Sequence, residues 1–262
     1  MSVLTGRVAL VTGASQGIGL ATGIALAKAG AAVAFNYLDD EGQAATASEE
    51  IKRAGGRAML IQADVADEGA LERMVSQVIE TFGQLDIAVS NAASSQRGAF
   101  HELPTEAVRR TLEVTMWGPL HLARAAARHM IARGQGGSIV VVGSPHAFTA
   151  VPGSLPYNMA KAAIEQLART AAIELAEHRI RVNIITPGWI DTPGERKFAT
   201  DEAIRAAGKK LPWGRLGTPE EIARGVVFLC DPESDYITGS SLLIDGGVTL
   251  PWWANRGSSV PG

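Results

Sequence analysis

The stretch Val11-Thr12-Gly13-Ala14-Ser15-Gln16-Gly17-Ile18-Gly19 runs out of an apolar, β-branched segment, through a glycine-rich turn, into an alanine-rich segment. A strand that stops at glycine and restarts as a helix leaves unpaired N–H groups and the positive end of a dipole at the helix start. Where side chains are missing, a pyrophosphate can approach the backbone itself. The spacing is GxxxGxG rather than the GxGxxG of the best-known dinucleotide turn. Small residues at a βα turn also serve close packing alone, so the surrounding pattern has to decide.

That pattern is a regular alternation. Short apolar runs predict strands at Arg7–Thr12, Ala32–Tyr37, Ala58–Ala63, Leu85–Asn91, Ser138–Ser144, Arg181–Thr186 and Ser241–Asp245. Between them, longer periodic segments predict helices at Gly17–Ala29, Glu41–Ala54, Glu68–Phe82, Thr105–Arg133, Leu155–His178 and Pro219–Leu229. Continuous apolar runs such as Ile139-Val140-Val141-Val142 belong to strands covered on both faces. The expected fold is α/β: a Rossmann-type, doubly wound parallel seven-stranded sheet with helices on both faces, in a single domain over 1–262. Residues 189–217 interrupt the rhythm with Pro, Gly and a short polar helix around Asp201–Lys210, as a substrate lid does. The tail at 248–262 carries Trp252-Trp253, which is expected to pack, on this chain or on another subunit.

Composition narrows the function. The chain has 262 residues, 46% of them hydrophobic and 19% charged, so material for a large core is present. A net charge of −3 lacks the basic excess that nucleic acid or an anionic membrane would favour, and a small-molecule partner is expected instead. No apolar run reaches membrane-spanning length and no secretory leader is evident, so the expected location is cytoplasmic. Cys230 is the one cysteine and sits at the end of an apolar helical run, which reads as a buried, inert thiol.

Two places carry specific chemistry. After the second strand come Tyr37-Leu38-Asp39-Asp40, where an acid would bind ribose hydroxyls and a base would neutralise the extra phosphate of NADP. No Arg or Lys occurs there and Gln16 is neutral, so the reading leans to NAD. Asp64, before Val65, is placed either to bond an adenine amino group or to cap the next helix. Further on, Ser144 follows the fifth strand, and Tyr157 and Lys161 lie one turn apart on one helix face. A free phenol ionises near pH 10, and lowering that by about three units takes roughly 4 kcal/mol. A cation at about 4 Å in an effective dielectric near 20 supplies about that much before desolvation opposes it. Tyr157 is therefore the expected acid/base, with Lys161 as its cation and Ser144 on the substrate oxygen.

Taken together, these residues resemble the short-chain dehydrogenase/reductase family over nearly the whole chain. The matching motifs are Thr12–Gly19, Asp64-Val65, Asn91-Ala92-Ala93, Ser144, Tyr157 with Lys161, Arg181-Val182-Asn183, and Pro187-Gly188 followed by Thr192. The resemblance implies a cofactor set of Gly13, Ser15, Gln16, Gly17, Ile18, Gly19, Tyr37, Asp64, Val65, Asn91, Ala92, Tyr157, Lys161, Pro187, Gly188, Ile190 and Thr192. It implies that Lys161 holds the nicotinamide ribose, that Ile190 and Thr192 fix the carboxamide, and that the chain forms a homotetramer through the helices at Thr105–Arg133 and Leu155–His178. Asn36-Tyr37 and Asp245-Gly246-Gly247-Val248-Thr249-Leu250 look most like bacterial glucose 1-dehydrogenases, where His146 also has a counterpart.

Three departures stand out. Thr115 occupies the place of an asparagine that helps hold a water in the family's proton relay, Ala93 replaces a glycine, and Leu38 replaces an arginine. The expected substrate pocket lies between His146, Phe148, Trp189 and the lid, with Trp117, Trp189 and Trp213 available to stack on a ring. The expected reaction is hydride transfer between NAD or NADP and an alcohol, sugar or ketone. The alternatives are a non-catalytic dinucleotide-binding regulator, motivated by Thr115 and Ala93, and a 3-oxoacyl-type ketone reductase. No metal ligand set is recognised.

Overall fold

The apolar runs form strands because each is covered on both faces. The structure, a computed structural model, describes residues 2–251. In chain order it contains β1 (Val8–Val11), α1 (Gly17–Lys28), β2 (Ala32–Tyr37), α2 (Glu41–Arg53), β3 (Ala58–Gln62), α3 (Glu68–Phe82), β4 (Ile87–Ser90) and α4 (Thr105–Leu112). There follow a π-helical turn (Glu113–Trp117), α5 (Gly118–Arg133), β5 (Gly137–Val142), α6 (Leu155–Glu174), β6 (Ile180–Pro187), α7 (Asp201–Gly208), α8 (Pro219–Cys230) and β7 (Ser241–Ile244). The strands make one seven-stranded sheet in the order β3-β2-β1-β4-β5-β6-β7, and every neighbouring pair is parallel.

Two apolar layers sandwich that sheet. Leu71, Met74 and Val78 of α3, Leu122 and Met130 of α5, and Ile164 and Ala168 of α6 pack on one face. Leu26 of α1, Ile51 of α2, and Ile222, Val226 and Leu229 of α8 pack on the other. Cys230 belongs to this second layer, 4% exposed, and burial pushes its thiol up to about 12, so it is held as an unreactive core group.

Because all strands run the same way, their C-terminal ends share one edge. The chain reverses its winding direction between β1 and β4, and such a switch point opens a crevice at that edge. Thr12, Asn91, Ser144 and Gly188 follow the ends of β1, β4, β5 and β6, so the topology delivers them to the same edge.

One expected helix is not continuous. The segment Thr105–Arg133 breaks into α4, the π turn and α5, with the Gly118 N–H bonding the Glu113 carbonyl five residues back. Pro119 has no N–H to give the Thr115 carbonyl, which removes one α-type bond at this point. The segment predicted as Leu155–His178 likewise ends its α-helix at Glu174 and finishes as a 3₁₀ turn, Ala176–His178. Among the described residues no helix is long and apolar enough to cross a membrane. The Trp252-Trp253 pair lies outside the described residues.

Candidate active site

The glycine turn is tied down by side chains from two neighbouring strands. Asn91 donates from Nδ2 to the carbonyls of Thr12 and Gly13, both at 2.9 Å, while the Thr12 hydroxyl accepts from Asn91 and Ala92 N–H. Asn36, 2% exposed at the end of β2, accepts from the Gly13 N–H and donates to the Ala63 carbonyl at 2.8 Å. Gly13 has φ +59°, and a Cβ there would lie 2.9 Å from the Ala92 Cα. Gly19 is more confined: a Cβ would run into the Gly13 carbonyl oxygen and sit 2.6 Å from Asn91 Nδ2. The glycines are thus demanded by how closely the turn lies against β4.

The helix that leaves this turn differs from α2 and α8, the helices packed beside it. α2, α3, α7 and α8 each have a side-chain cap and an acid in the first turn. α1, like α5 and α6, has neither, and Gln16 at its N-cap makes no capping bond. Uncompensated N–H groups and an unopposed dipole fit the diphosphate of a dinucleotide. Ser15, Gln16, Gly17 and Ile18 form the turn itself. Thr192 approaches from the lid, 3.5 Å from where a Gly17 Cβ would stand, so lid and glycine turn meet.

Around the expected ribose and adenine positions, Tyr37 and Val65 are buried. Asp64 accepts from Ala66 N–H and pairs with Arg110 at 2.9 Å, and the cap of α3 is Asp67 rather than Asp64, which corrects the capping alternative. Asp40 spends Oδ1 on the Gln43 N–H as the cap of α2. Gln43 Nε2 reaches Gln16 Oε1 at 3.4 Å.

The side chains expected to carry the chemistry meet where β5 ends and α6 begins. Ser144 is 8% exposed, and its Oγ accepts from the His146 N–H. Tyr157 and Lys161 lie in the first two turns of α6, with Lys161 Nζ 5.3 Å from the phenol ring centroid and donating to the Val142 carbonyl at 2.6 Å. The electrostatics show how strongly desolvation opposes the pairing of Tyr157 with Lys161. Burial pushes the Tyr157 phenol up to about 12, while its hydrogen bond with Ser144 pulls it down, Glu195 raises it and Arg97 lowers it. Burial likewise pulls Lys161 down to about 7, opposed by Glu165. Desolvation acts on both partners and disfavours both charges, which the distance argument alone left open.

His146 stands edge-on to Tyr157, ring centroids 5.1 Å apart. Its Nδ1 lies 2.7 Å from Asn158 Oδ1, and the Asn158 amide is oriented by donating to the Val151 carbonyl. That arrangement places the proton on Nδ1 and leaves Nε2 as an acceptor. Burial lowers the His146 pKa, which favours this neutral form.

Thr115 is fully buried, and its hydroxyl accepts from the Ser94 N–H at 2.9 Å and donates to the Ser94 carbonyl at 2.8 Å. It clasps the loop after β4 to the π turn, and its bonds are to Ser94 rather than to Tyr157 or Lys161. Gly188 fits close against Asp245, and Ile190 is buried in a bridge to Gly217 that closes the base of the lid. Trp189 donates from its indole to Glu195 at 2.9 Å. Trp117 is 46% exposed and stacks on His121, so its partner is a neighbour on its own helix. Phe148 and Trp213 are exposed.

Sequence reading missed Arg97 and Glu195. Both act on the charge of Tyr157 and His146, and the Arg97 guanidinium lies 3.7 Å from the centroid of Phe198 in the lid. Neither sits in a motif, and charged residues in loops give no signal of where they point.

Sheet order, crossover point and glycine turn define a dinucleotide-binding α/β protein of the doubly wound class. The family model described as enoyl-(acyl carrier protein) reductase matches residues 13–249. L-rhamnose 1-dehydrogenase (NAD(P)(+)) of Sphingomonas sp. (strain SKA58) is 40% identical, the match covering 95% of this chain and 98% of that protein. Glucose 1-dehydrogenase 2 of Bacillus subtilis is 35% identical over 94% of this chain and 96% of its own. The crystal structure of a short-chain type dehydrogenase/reductase from Mycobacterium marinum superposes with a TM-score of 0.89 at 36% identity, covering 95% of this chain and 97% of that one. The chain belongs to the short-chain dehydrogenase/reductase family and is an oxidoreductase.

Proposed function

We propose that the protein transfers a hydride between NAD or NADP and a secondary alcohol or sugar hydroxyl or its carbonyl counterpart, with Tyr157 as acid/base. The observation that carries this reading is the meeting of Ser144, Tyr157, Lys161 and a neutral His146 at the strand edge where the uncapped α1 also begins. When bound, the dinucleotide supplies the carbon that gives or takes hydride and, in its oxidised form, a positive ring.

The chain's own groups do the rest. Ser144 bonds the substrate oxygen and the phenol, so the oxygen that changes charge is held beside the proton that moves. Tyr157 takes the hydroxyl proton in oxidation and returns one in reduction. Lys161 holds the nicotinamide ribose and provides the cation that, with the positive ring, offsets the upward push of burial on Tyr157. Ile190 and Thr192 hold the carboxamide from the lid. His146 Nε2, an acceptor, takes a second substrate hydroxyl, and Trp189 offers an apolar wall, which supports a polyol or sugar over a simple alkanol. The two acids Asp39 and Asp40, with no Arg or Lys beside them in sequence, favour NAD over NADP.

Assembly as a homotetramer is part of the same reading, supported by side chains that α6 and the π turn leave exposed: Trp117, Met159 and Ile173, at 46%, 47% and 76%. A panel of aldoses, polyols, cyclic alcohols and 3-oxoacyl thioesters, run with NAD(H) and NADP(H) and followed at the reduced nicotinamide absorbance, tests the proposal. Turnover of sugars or cyclic alcohols is the expected result. Cofactor binding without turnover anywhere on the panel overturns it in favour of a non-catalytic binder, and selective NADPH-linked reduction of the thioesters overturns it in favour of a ketone reductase.

A further inference from the structure

α6 carries a stripe of polar groups at one-turn intervals: Tyr157, Lys161, Glu165 and Arg169. Four residues advance a helix by slightly more than one turn, so the stripe drifts round the helix from the reaction edge toward the surface. Lys161 and Glu165 are buried, 3% and 6% exposed, whereas half of the Arg169 side chain is open to solvent. An acid in this position is unusual company for the apolar layer of Ile164, Ala168 and Ala172 that surrounds it on the same helix. Burying a carboxylate is costly, and the site gives it partners: Oε1 lies 3.4 and 3.3 Å from the hydroxyls of Thr186 on β6 and Ser241 on β7, which bond each other at 2.8 Å so that one of them donates to it, and Oε2 pairs with Arg169 at 2.7 Å.

The two hydroxyls hold the carboxylate in place without requiring a charge, since a neutral amide would bond them as well. Two cations favour the charge: Arg169, which pairs with it from the exposed side, and the ammonium of Lys161 a turn earlier. Among the described residues Lys161 Nζ has one hydrogen bond, to the Val142 carbonyl, and that carbonyl is neutral. On its substrate side stand the phenol of Tyr157 and the imidazole of His146, neither of them a fixed negative charge, and beyond those rings Glu195 and Arg97, two opposite charges that act on both. Glu165 is the acid whose field acts on Lys161, and beyond it the next charge is Arg169.

We infer that Glu165 is a positioning residue for the reaction: its buried negative charge, one turn along the same helix, favours the protonated form of Lys161 and so a cation beside Tyr157. This rests on the acid/base reading of Tyr157 and Lys161 given above. Burial pulls Lys161 down to about 7 even with the opposing field of Glu165 acting on it, so removing that field leaves the amine largely neutral under working conditions. The sign follows directly. A lysine whose protonated form is needed loses function as pH rises through its pKa, and removing the acid moves that loss to lower pH.

The test is Glu165→Gln in the intact enzyme, read in two ways. Lysine labelled with ¹³C at Cε reports the Lys161 titration by NMR, with Lys161→Met used to assign the signal. The pH profile of kcat/KM for carbonyl reduction reports its consequence. The expected result is that the titration and the alkaline limb of the profile both move down by about one unit, a roughly tenfold loss above the limb with little change below it. Glu165→Asp keeps the charge while shortening its reach to Thr186 and Ser241, and is expected to keep the wild-type limb even if its melting temperature drops. A Glu165→Gln enzyme that melts lower but titrates as wild type overturns the inference and leaves Glu165 a structural staple. If Glu165→Gln does not fold, a Glu165→Asp limb displaced as far as one unit overturns it equally, and an unmoved limb supports it. Failure of the underlying reading looks different, because Tyr157→Phe and Lys161→Met would then retain turnover whatever Glu165 does.

Discussion

The two ends of the site are built differently. The dinucleotide end is a backbone structure, in which Thr12, Asn36 and Asn91 hold one glycine turn through bonds to its own carbonyls and N–H groups. The substrate end is a side-chain structure assembled from four separate segments: Arg97 after β4, His146 after β5, Tyr157 on α6, and Trp189 with Glu195 and Phe198 after β6. A backbone site is rigid and tolerant of remote change but intolerant of any added atom. A side-chain site can lose one contact and keep the rest, so it is the part that varies with substrate.

Tyr157→Phe separates the two ends most sharply. Loss of the phenol oxygen is expected to lower kcat by about 1,000-fold or more, toward the upper range of general acid–base effects, while dinucleotide affinity changes little. Steady-state rates together with the fluorescence of bound reduced dinucleotide check both halves, and a matching fall in affinity would show that the ends are not independent. Gly19→Ala makes the converse cut. Its methyl group meets the Gly13 carbonyl and Asn91, so the turn must open. Dinucleotide affinity is expected to fall about 100-fold, as displacements near 1 Å do at positioned sites.

The same contrast governs what could be read from the chain. Strand and helix positions were legible because a fully covered parallel strand leaves an unbroken apolar run, and β2 and α3 fall where that run and the helical period place them. The glycine turn was legible because backbone approach demands glycine. The break between α4 and α5 was not, since apolar periodicity continues through Pro119 and proline is tolerated in the first turn of a new helix. Tyr157 and Lys161 could be paired from spacing alone, but the direction of the Tyr157 shift could not, because burial is a property of the folded site. Arg97 and Glu195 are ordinary loop charges until folding points them at the same phenol.

Thr115 sits on the boundary between the two ends. Thr115→Val removes the partner of both the N–H and the carbonyl of Ser94, two groups that are partly shielded from water. A loss of about 2 kcal/mol is expected, seen as a melting temperature lower by about 4–8 °C, with Thr115→Ser near wild type. A Thr115→Val enzyme of unchanged stability would mean that the clasp is not what holds the loop.

His146 tests the pH behaviour of the substrate end. Burial depresses its pKa, so the folded protein favours the neutral ring. Its contribution to stability is complete above the unfolded value near 6.5 and is lost as pH falls from there through the lower folded value. Wild type is therefore expected to lose melting temperature between pH 7 and 5 faster than His146→Gln does, and parallel curves would break the assignment.

The smallest effect belongs to the contact furthest from the chemistry. Arg97 lies over the Phe198 ring with both side chains exposed, and a cation–π contact at an exposed site contributes about 0.5–1 kcal/mol. The contact joins the loop after β4 to the lid, while the base of the lid is separately closed by the Ile190–Gly217 bridge and Arg196 pairs with Asp191 and Asp201 on its exposed surface. Removing Arg97 therefore loosens the outer rim without opening the base. Arg97→Gln is expected to raise KM by about two- to fivefold, the equivalent of that contact energy, and to leave dinucleotide affinity unchanged. Arg97 also pulls the Tyr157 pKa down, so the variant should need slightly higher pH for alcohol oxidation. An unchanged KM with a shifted profile would assign Arg97 to the charge of Tyr157 alone. Change in both would show that one exposed guanidinium couples the rim of the lid to the acid/base at its floor.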